Sequence, residues 1–293
     1  MGPGFDSLAL CHDFGFDRVT VQVSKDHESK IRIISESTPA IPEKNSAGRV
    51  ALEFLNRYDI SDSISIEINK GIPISSGLGG SGSSSAATME ALNSIYDLEL
   101  SAEEKIALSG HGESASTEGI HYDNVAASLL GGLVIVRSDG KINAKRVKIH
   151  PDLRFLIALP LVQGIPSKTE TMRKIIPDIV TRKSHVMNSA SLAFLISGLQ
   201  SGDGELITLG MNDFIFEPER ARLLQYYNAV RSDALDKGAL GACISGAGPA
   251  MFFVCTDDHI EKVRKSIKER FQTLGILCEV KEVKESEGVR IEQ

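Results

Sequence analysis

Lys70-Gly-Ile-Pro-Ile-Ser-Ser-Gly-Leu-Gly-Gly-Ser-Gly-Ser-Ser-Ser-Ala-Ala87 is the stretch on which the reading of this chain turns. Just before it, Ser63-Ile-Ser-Ile-Glu-Ile68 alternates polar and apolar residues and predicts a half-buried strand. Behind it, Ala87, Leu92, Ile95 and Tyr96 recur at helical spacing. The segment therefore reads as strand, loop, then helix, with small residues from Gly80 to Ser84 at the helix entrance. A helix start leaves amide donors unpaired at the positive end of the peptide dipole, which favours an anion. Gly77, Gly79, Gly80 and Gly82 let the backbone approach phosphate oxygens without an intervening Cβ. Ser81, Ser83, Ser84 and Ser85 add hydroxyls for phosphate or a metal ion. A serine-capped helix behind a flexible loop is the plainer alternative.

Two familiar phosphate loops do not fit. The nucleoside-triphosphate loop needs G-x-x-x-x-G-K-[ST], and no such Gly-Lys pair occurs. Gly77 to Gly82 matches G-x-G-x-x-G literally, with Asp97 and Glu99 near the acidic position. That dinucleotide motif, however, follows its strand at once as a tight turn. Here Asn69 to Ser76, including Pro73, lie between.

The whole chain bounds the function classes. At 293 residues it is long enough for a full core and two domains, with a boundary expected near residue 150 (1–150 and 151–293). A hydrophobic content of 42%, a charged content of 24% and a net charge of −7 describe a globular chain with no basic footprint for nucleic acid or anionic membrane. No apolar run approaches a membrane span, and the opening residues lack a signal peptide's regions. Cys11, Cys243, Cys255 and Cys278 are scattered without zinc spacing, as expected of free thiols in a reducing cytoplasm.

Taken in order, Arg18–Val23 and Lys30–Ile34 alternate well enough to predict a hairpin, and Asn45 precedes a helix over about Ala47 to Leu55. Ser101-Ala-Glu-Glu104 is a capping box for a further helix. Glu113, Glu118, His121, Asp123 and Asn124 then crowd polar groups into a short segment, either a solvated loop or a site. A zinc site from His111, Glu113 and His121 lacks support, because no Cys or paired H-x-x-x-H accompanies it. Strands are predicted at Gly132–Arg137 and Phe155–Pro160, a long helix from about Asp178 to Gly198, and a strand–helix–strand end beginning at Met251. Thr169 and Arg173, four residues apart, share one helical face. Such an arginine suits a carboxylate, because its planar donors reach both oxygens.

The form P-x-x-x-G-L-G-x-S-x-x-S from Pro73 to Ser84 resembles the nucleotide loop of the galactokinase, homoserine kinase, mevalonate kinase and phosphomevalonate kinase (GHMP) superfamily. Two serines usually follow Gly-Leu-Gly there; this chain has Gly80-Ser81 and keeps the second. Gly-x-Gly-Phe-Asp at residues 2–6, G-E-x-A-S at 112–116, and His-x-Asp-Asn-Val-Ala at 121–126 with Leu-Leu-Gly-Gly behind it narrow the resemblance to the homoserine kinases. Thr169 and Arg173 match their Thr-x-x-Ala-Arg, Glu217-Pro-Glu-Arg220 matches Glu-Pro-x-Arg, and residues 238–249 match the third glycine motif. Departures are Ala127 for a usual proline and Thr117-Glu118 for Ser-Gly.

The resemblance implies an α+β fold of two domains, an N-terminal nucleotide domain like ribosomal protein S5 domain 2 and a ferredoxin-like C-terminal domain. It implies ATP-dependent phosphorylation of the L-homoserine hydroxyl, a threonine-pathway step, with Mg²⁺ held by Ser81 and Glu113. ATP is assigned to Asn45, Lys70, Pro73, Ser76, Gly77, Leu78, Gly79, Gly80, Ser81, Gly82, Ser83 and Ser84. Homoserine is assigned to Asp6, His121, Asn124, Arg173, Arg220 and Gly246, with Asn124 and Thr169 beside the reacting groups. Asn124 stands where sugar and mevalonate kinases place an aspartate base, which implies in-line attack without a side-chain base; Asp123 is the alternative base. Another kinase of the superfamily, or a silent nucleotide-binding relative, is the competing reading, and a homodimer is possible. Homoserine kinases also reach Gly-x-Gly-Phe-Asp through a strand ending Ser-Ala-Asn-Leu, so the expectation is that an upstream strand belongs before Met1.

Overall fold

The computed structural model of the chain describes residues 1–25, 30–113, 120–162 and 168–292. It divides into two compact units. The N-terminal unit comprises Asp6–Ile74, Gly79–Arg146 and Glu285–Gln293; the C-terminal unit comprises Met1–Phe5, Ser75–Leu78 and Val147–Lys284.

The N-terminal unit contains β1 (Leu8–Leu10), β2 (Arg18–Ser24), β3 (Ile31–Ile34), α1 (Ser46–Arg57), β4 (Ser63–Asn69), α2 (Gly80–Tyr96), α3 (Ala102–Glu113), α4 (Asp123–Leu130), β5 (Leu133–Ser138) and β6 (Ile142–Val147). The alternation at Ser63–Ile68 does form a strand, but β2 and β3 are not a hairpin. β4 lies between them, antiparallel to β2 and parallel to β3. Its inward residues Ile64, Ile66 and Ile68 are almost fully buried, whereas β2 alternates between exposed and half-buried residues. The strand with the most completely buried apolar face takes the centre, where both neighbours and the helices shield it. Those helices contribute Val50, Phe54 and Leu55 from α1, Met89 and Leu92 from α2, and Leu108 from α3. A second sheet, ordered β1-β5-β6, packs Val134 and Val136 against Val125 and Ala126 of α4. Ser101 and Glu104 exchange the reciprocal capping-box bonds at the start of α3.

The C-terminal unit contains β7 (Leu153–Pro160), α5 (Lys168–Lys174), α6 (Arg182–Ser201), α7 (Gly204–Gly210), α8 (Glu217–Ala221), α9 (Tyr227–Asp236), β8 (Gly241–Ile244), β9 (Met251–Thr256), α10 (Ile260–Thr273) and β10 (Cys278–Val283). Its antiparallel sheet runs β10-β7-β9-β8. β7 and β9 are buried along nearly their whole length, which is why they read as continuous apolar runs. α9 and α10 cover the sheet with Val230, Ala234, Val263, Ile267 and Phe271. Burial pushes the Cys243 and Cys255 thiols up to about 12, so both behave as small core hydrophobes. Among the described residues, no helix is long and apolar enough to cross a membrane.

One buried acid fixes a short helix of this unit. Glu217 opens α8, is 7% exposed, and accepts the Ile244 amide at the end of β8. Burial pushes its carboxyl up to about 7. Its folded-state pKa thus lies above the ordinary 4.5, so its stabilising contribution is full below that pH and is lost as pH rises through about 7. Glu217→Gln should flatten this loss: the gap in thermal midpoint between variant and wild type should move in the variant's favour between pH 4.5 and about 7. Parallel midpoint-versus-pH curves would remove Glu217 as the cause.

Candidate active site

The glycine-rich helix entrance is built as the sequence suggests, with one added feature. α2 begins after Gly79, which has a left-handed backbone (φ 73°) and no side chain to cap the helix. α4, α9 and α10 also begin without a side-chain cap, whereas α1, α6 and α7 are capped by the side chains of Asn45, Thr181 and Asp203. The first-turn amides of α2 therefore lack the oxygen that those capped helices receive from their own chain, and an anionic ligand is suited to that role.

Behind this entrance sits a buried ion pair that sequence reasoning missed. The Asp17 carboxylate, with no exposed side-chain surface, pairs with the Lys70 ammonium, which is 8% exposed. Asp17 also accepts the Gly71 and Ile72 amides at 3.2 and 3.1 Å and the Ser84 hydroxyl at 3.0 Å. Lys70 in turn donates to the Gly80 carbonyl at 2.7 Å and to Ser84 Oγ at 3.2 Å. Lys70 and Ser84, both expected at the nucleotide, are thus tied to Asp17 and to each other, and Lys70 also holds the loop's own backbone at Gly80. Asn45, expected at the base, is likewise buried: its Oδ1 accepts the Ala47 and Gly48 amides and its Nδ2 donates to Thr38 and Pro39.

Oxygen donors gather beside the same helix. Ser81 Oγ lies 2.5 Å from Ser46 Oγ. Glu113 ends the described part of α3, and its neighbour Gly112 packs so closely that an added Cβ would stand 2.1 Å from Ser85 Oγ and 2.7 Å from the Ser46 carbonyl. Hydroxyl and carboxylate oxygens are hard donors of the kind that suits Mg²⁺. The neighbouring segment 114–119, including Glu118, lies outside the described residues.

Asp6, His121, Asp123 and Asn124 form the second cluster of the N-terminal unit. His121 Nδ1 is 3.1 Å from Asp6 Oδ2, while His121 Nε2 is buried and has no hydrogen-bond partner among the described residues. Asp123 is 9% exposed, and its carboxyl is pushed up by burial and then by the Asp6 charge. Asn124 lies directly on the glycine entrance: a Cβ at Gly82 would stand 2.9 Å from Asn124 Cβ, so only glycine allows this approach. His111, 3.8 Å from Glu53, is paired away from His121.

In the C-terminal unit, Ser75–Leu78 is stitched to the third glycine segment. Ser76 accepts the Ala250 amide at 3.1 Å, and Ser245 Oγ donates to the Gly77 carbonyl at 2.9 Å. Buried Lys168, which no motif singles out, donates to the Ser75 and Gly248 carbonyls. Its neighbour Thr169 is half-buried on α5, and Pro73 is exposed. Arg220, 6% exposed, donates to the Met172 carbonyl at 3.1 Å and the Gly246 carbonyl at 3.0 Å. The guanidiniums of Arg220 and Arg173 both lie over the Phe5 ring, 4.7 and 5.3 Å from its centroid. The structure thus brings the two expected carboxylate-binding arginines together.

Comparisons with known proteins point to one family. Residues 45–132 match the GHMP kinases N terminal domain and residues 195–273 the GHMP kinases C terminal domain. A homoserine kinase of Thermoplasma volcanium is 39% identical over 99% of this chain and 92% of its own length. Another, from Sulfurisphaera tokodaii, is 36% identical over 100% of this chain and 96% of its own. The crystal structure of homoserine kinase from Cytophaga hutchinsonii superposes with a TM-score of 0.87 at 29% identity, covering 98% of this chain and 91% of that one.

The Asp17–Lys70 pair gives a direct test of the site's foundation. Removing one partner of a buried pair leaves an uncompensated charge, which typically costs about 3–5 kcal/mol. Asp17→Ala should lower stability to denaturant by that order and weaken nucleotide binding, whereas Asp17→Asn keeps the shape and should lose less. An Asp17→Ala protein with unchanged stability would show that the pair does not hold the loop.

Proposed function

The chain belongs to the homoserine kinases of the GHMP kinase family, and from that membership we propose that it transfers the γ-phosphoryl group of ATP to the side-chain hydroxyl of L-homoserine, giving O-phospho-L-homoserine and ADP in threonine biosynthesis. The observation that carries this reading is the uncapped, clamped start of α2 in a chain that also pairs two arginines on one ring. A phosphate is suited to the first feature and a substrate carboxylate to the second. The free thiols agree with a cytoplasmic site of action.

In this reading the residues position rather than react. First-turn amides from Gly80 to Gly82 take phosphate oxygens, the Ser75–Leu78 segment lines the nucleotide, and Lys70 and Ser84 fix the loop from behind. Asn45 shapes the nucleotide pocket by capping α1. Ser81 and Glu113 would hold Mg²⁺, which when bound neutralises charge on the transferring phosphoryl group. Arg173 and Arg220 take the homoserine carboxylate, with the Gly246 backbone beside them. His121, oriented by Asp6, presents its buried Nε2 to the substrate, and Asn124 and Thr169 orient the hydroxyl. The hydroxyl oxygen attacks phosphorus in line, the bond to the bridging oxygen breaks, and the hydroxyl proton leaves with the transferred phosphoryl group. A loose transition state needs little help from a base, so alignment and charge neutralisation supply most of the acceleration. Asp123, buried and with its carboxyl pushed up first by burial and then by the Asp6 charge, is the alternative base.

A coupled assay of ADP release across homoserine, shikimate, mevalonate and galactose tests the substrate: homoserine alone should give full turnover. Comparable turnover on mevalonate or galactose would overturn the assignment. Glu113→Gln removes a charge with little change of shape and should lower turnover on the order of 10²–10³-fold, while nucleotide binding changes far less. Near-normal turnover would take Glu113 out of the metal site. Arg173→Ala and Arg220→Ala should each raise KM for homoserine by the equivalent of about 2–5 kcal/mol and leave KM for ATP close to unchanged. Equal effects on both substrates would return the arginines to structural roles.

A further inference from the structure

Phe5 belongs to the Gly-x-Gly-Phe-Asp stretch, but no role attaches to it from the sequence. Its ring stacks on Phe216, with centroids 4.3 Å apart and planes inclined by 28°. The same ring receives the Arg220 and Arg173 guanidiniums, both inside cation–π range. Phe216 precedes α8 and Arg220 lies four residues on, so the stacking partner and one arginine come from the same turn of chain. Arg220 also donates to the Met172 carbonyl, the peptide unit that leads into Arg173. Ring, second ring and two guanidiniums are thus one connected stack.

The physical problem that the stack solves is repulsion. Two guanidiniums aimed at one carboxylate push each other apart whenever the carboxylate is absent, and long arginine side chains have many rotamers to escape into. A ring face carries negative quadrupole charge and attracts both cations at once, without neutralising either as a carboxylate would. An acid in place of Phe5 would compete with the substrate; an aliphatic residue would fill the space without the attraction.

We propose that Phe5 is the positioning residue of the carboxylate-binding pair, holding Arg173 and Arg220 together so that the enzyme selects alcohols that carry a carboxylate. This rests on the reading that the two arginines bind the homoserine carboxylate. It extends that reading by giving substrate selection a residue that touches no substrate.

The test replaces the ring and then tunes it. Phe5→Leu should raise KM for homoserine roughly tenfold, leave KM for ATP within about twofold, and shrink the preference for homoserine over 3-aminopropan-1-ol, which lacks the carboxylate. Phe5→Tyr should behave like wild type. Phe5→Met is the second non-aromatic variant should Phe5→Leu fail to fold. Site-specific incorporation of mono-, di- and trifluorophenylalanine at position 5 keeps the shape and weakens the ring's negative face stepwise, so KM for homoserine should climb in the same order. A flat fluorination series, or Phe5→Leu raising both KM values alike, would overturn the proposal in favour of a packing role. If Arg173→Ala and Arg220→Ala raise KM for homoserine while Phe5→Leu does not, the carboxylate reading stands and the role of Phe5 falls. If the arginine variants leave KM for homoserine unchanged, the carboxylate reading fails first and takes this proposal with it.

Discussion

The N-terminal unit depends on a helix start that its own chain does not finish. An N-cap side chain is worth about 1 kcal/mol to a helix, and α2 forgoes it while α1 is fully capped by Asn45. The loop could relax into some other conformation were it not fastened from behind. Asp17 supplies that fastening: one carboxylate collects an ammonium, two backbone amides and a hydroxyl, all on residues flanking the glycine stretch. Buried ion pairs bring little net stability in general, because desolvation offsets their attraction. Their value here is geometric. Donors that are already aimed cost no reorganisation when phosphate charge arrives, and that is the form of help phosphoryl transfer uses most.

The C-terminal unit solves a similar problem with different chemistry. Ser75–Leu78 is held there by backbone carbonyls that receive Lys168, Ser245 and the Ala250 amide. Burial brings Lys168 down to about 8, which is still above neutral pH, so it keeps its charge there and donates to two carbonyls at once. Arg220 is fixed by two more carbonyls and by the Phe5 ring, while Glu217 and Asp213 anchor the ends of the turn from which it projects. Both acids are pushed up by burial, which indicates that they are kept for their hydrogen bonds rather than for their charge.

These supports explain why a loop lacking one of the two usual serines remains usable. Gly80 contributes its carbonyl to Lys70 and its amide to the helix entrance, and neither function needs a hydroxyl. The retained Ser81 is the hydroxyl that meets Ser46, beside the end of α3 that carries Glu113. Close approach of Asn124 to Gly82 likewise depends on the absence of a side chain, so the glycine pattern serves packing as much as it serves a ligand.

The sequence by itself determined the local elements and the family. Alternation at Ser63–Ile68, the capping box at Ser101 and the helical spacing after Ala87 became β4, the start of α3 and α2, because each is set by neighbours a few residues away. The ordered motifs named the kinase family because a phosphate loop needs small residues at fixed spacing. Pairing was another matter: β2 and β3 looked like a hairpin, and only burial of the isoleucine face of β4 decided that it should lie between them. Asp17, Lys168 and Phe5 were invisible for the same reason. Each acts on residues 53, 93 or more than 160 positions away, and an isolated acid, lysine or phenylalanine carries no periodic signal of what it will meet once the chain folds.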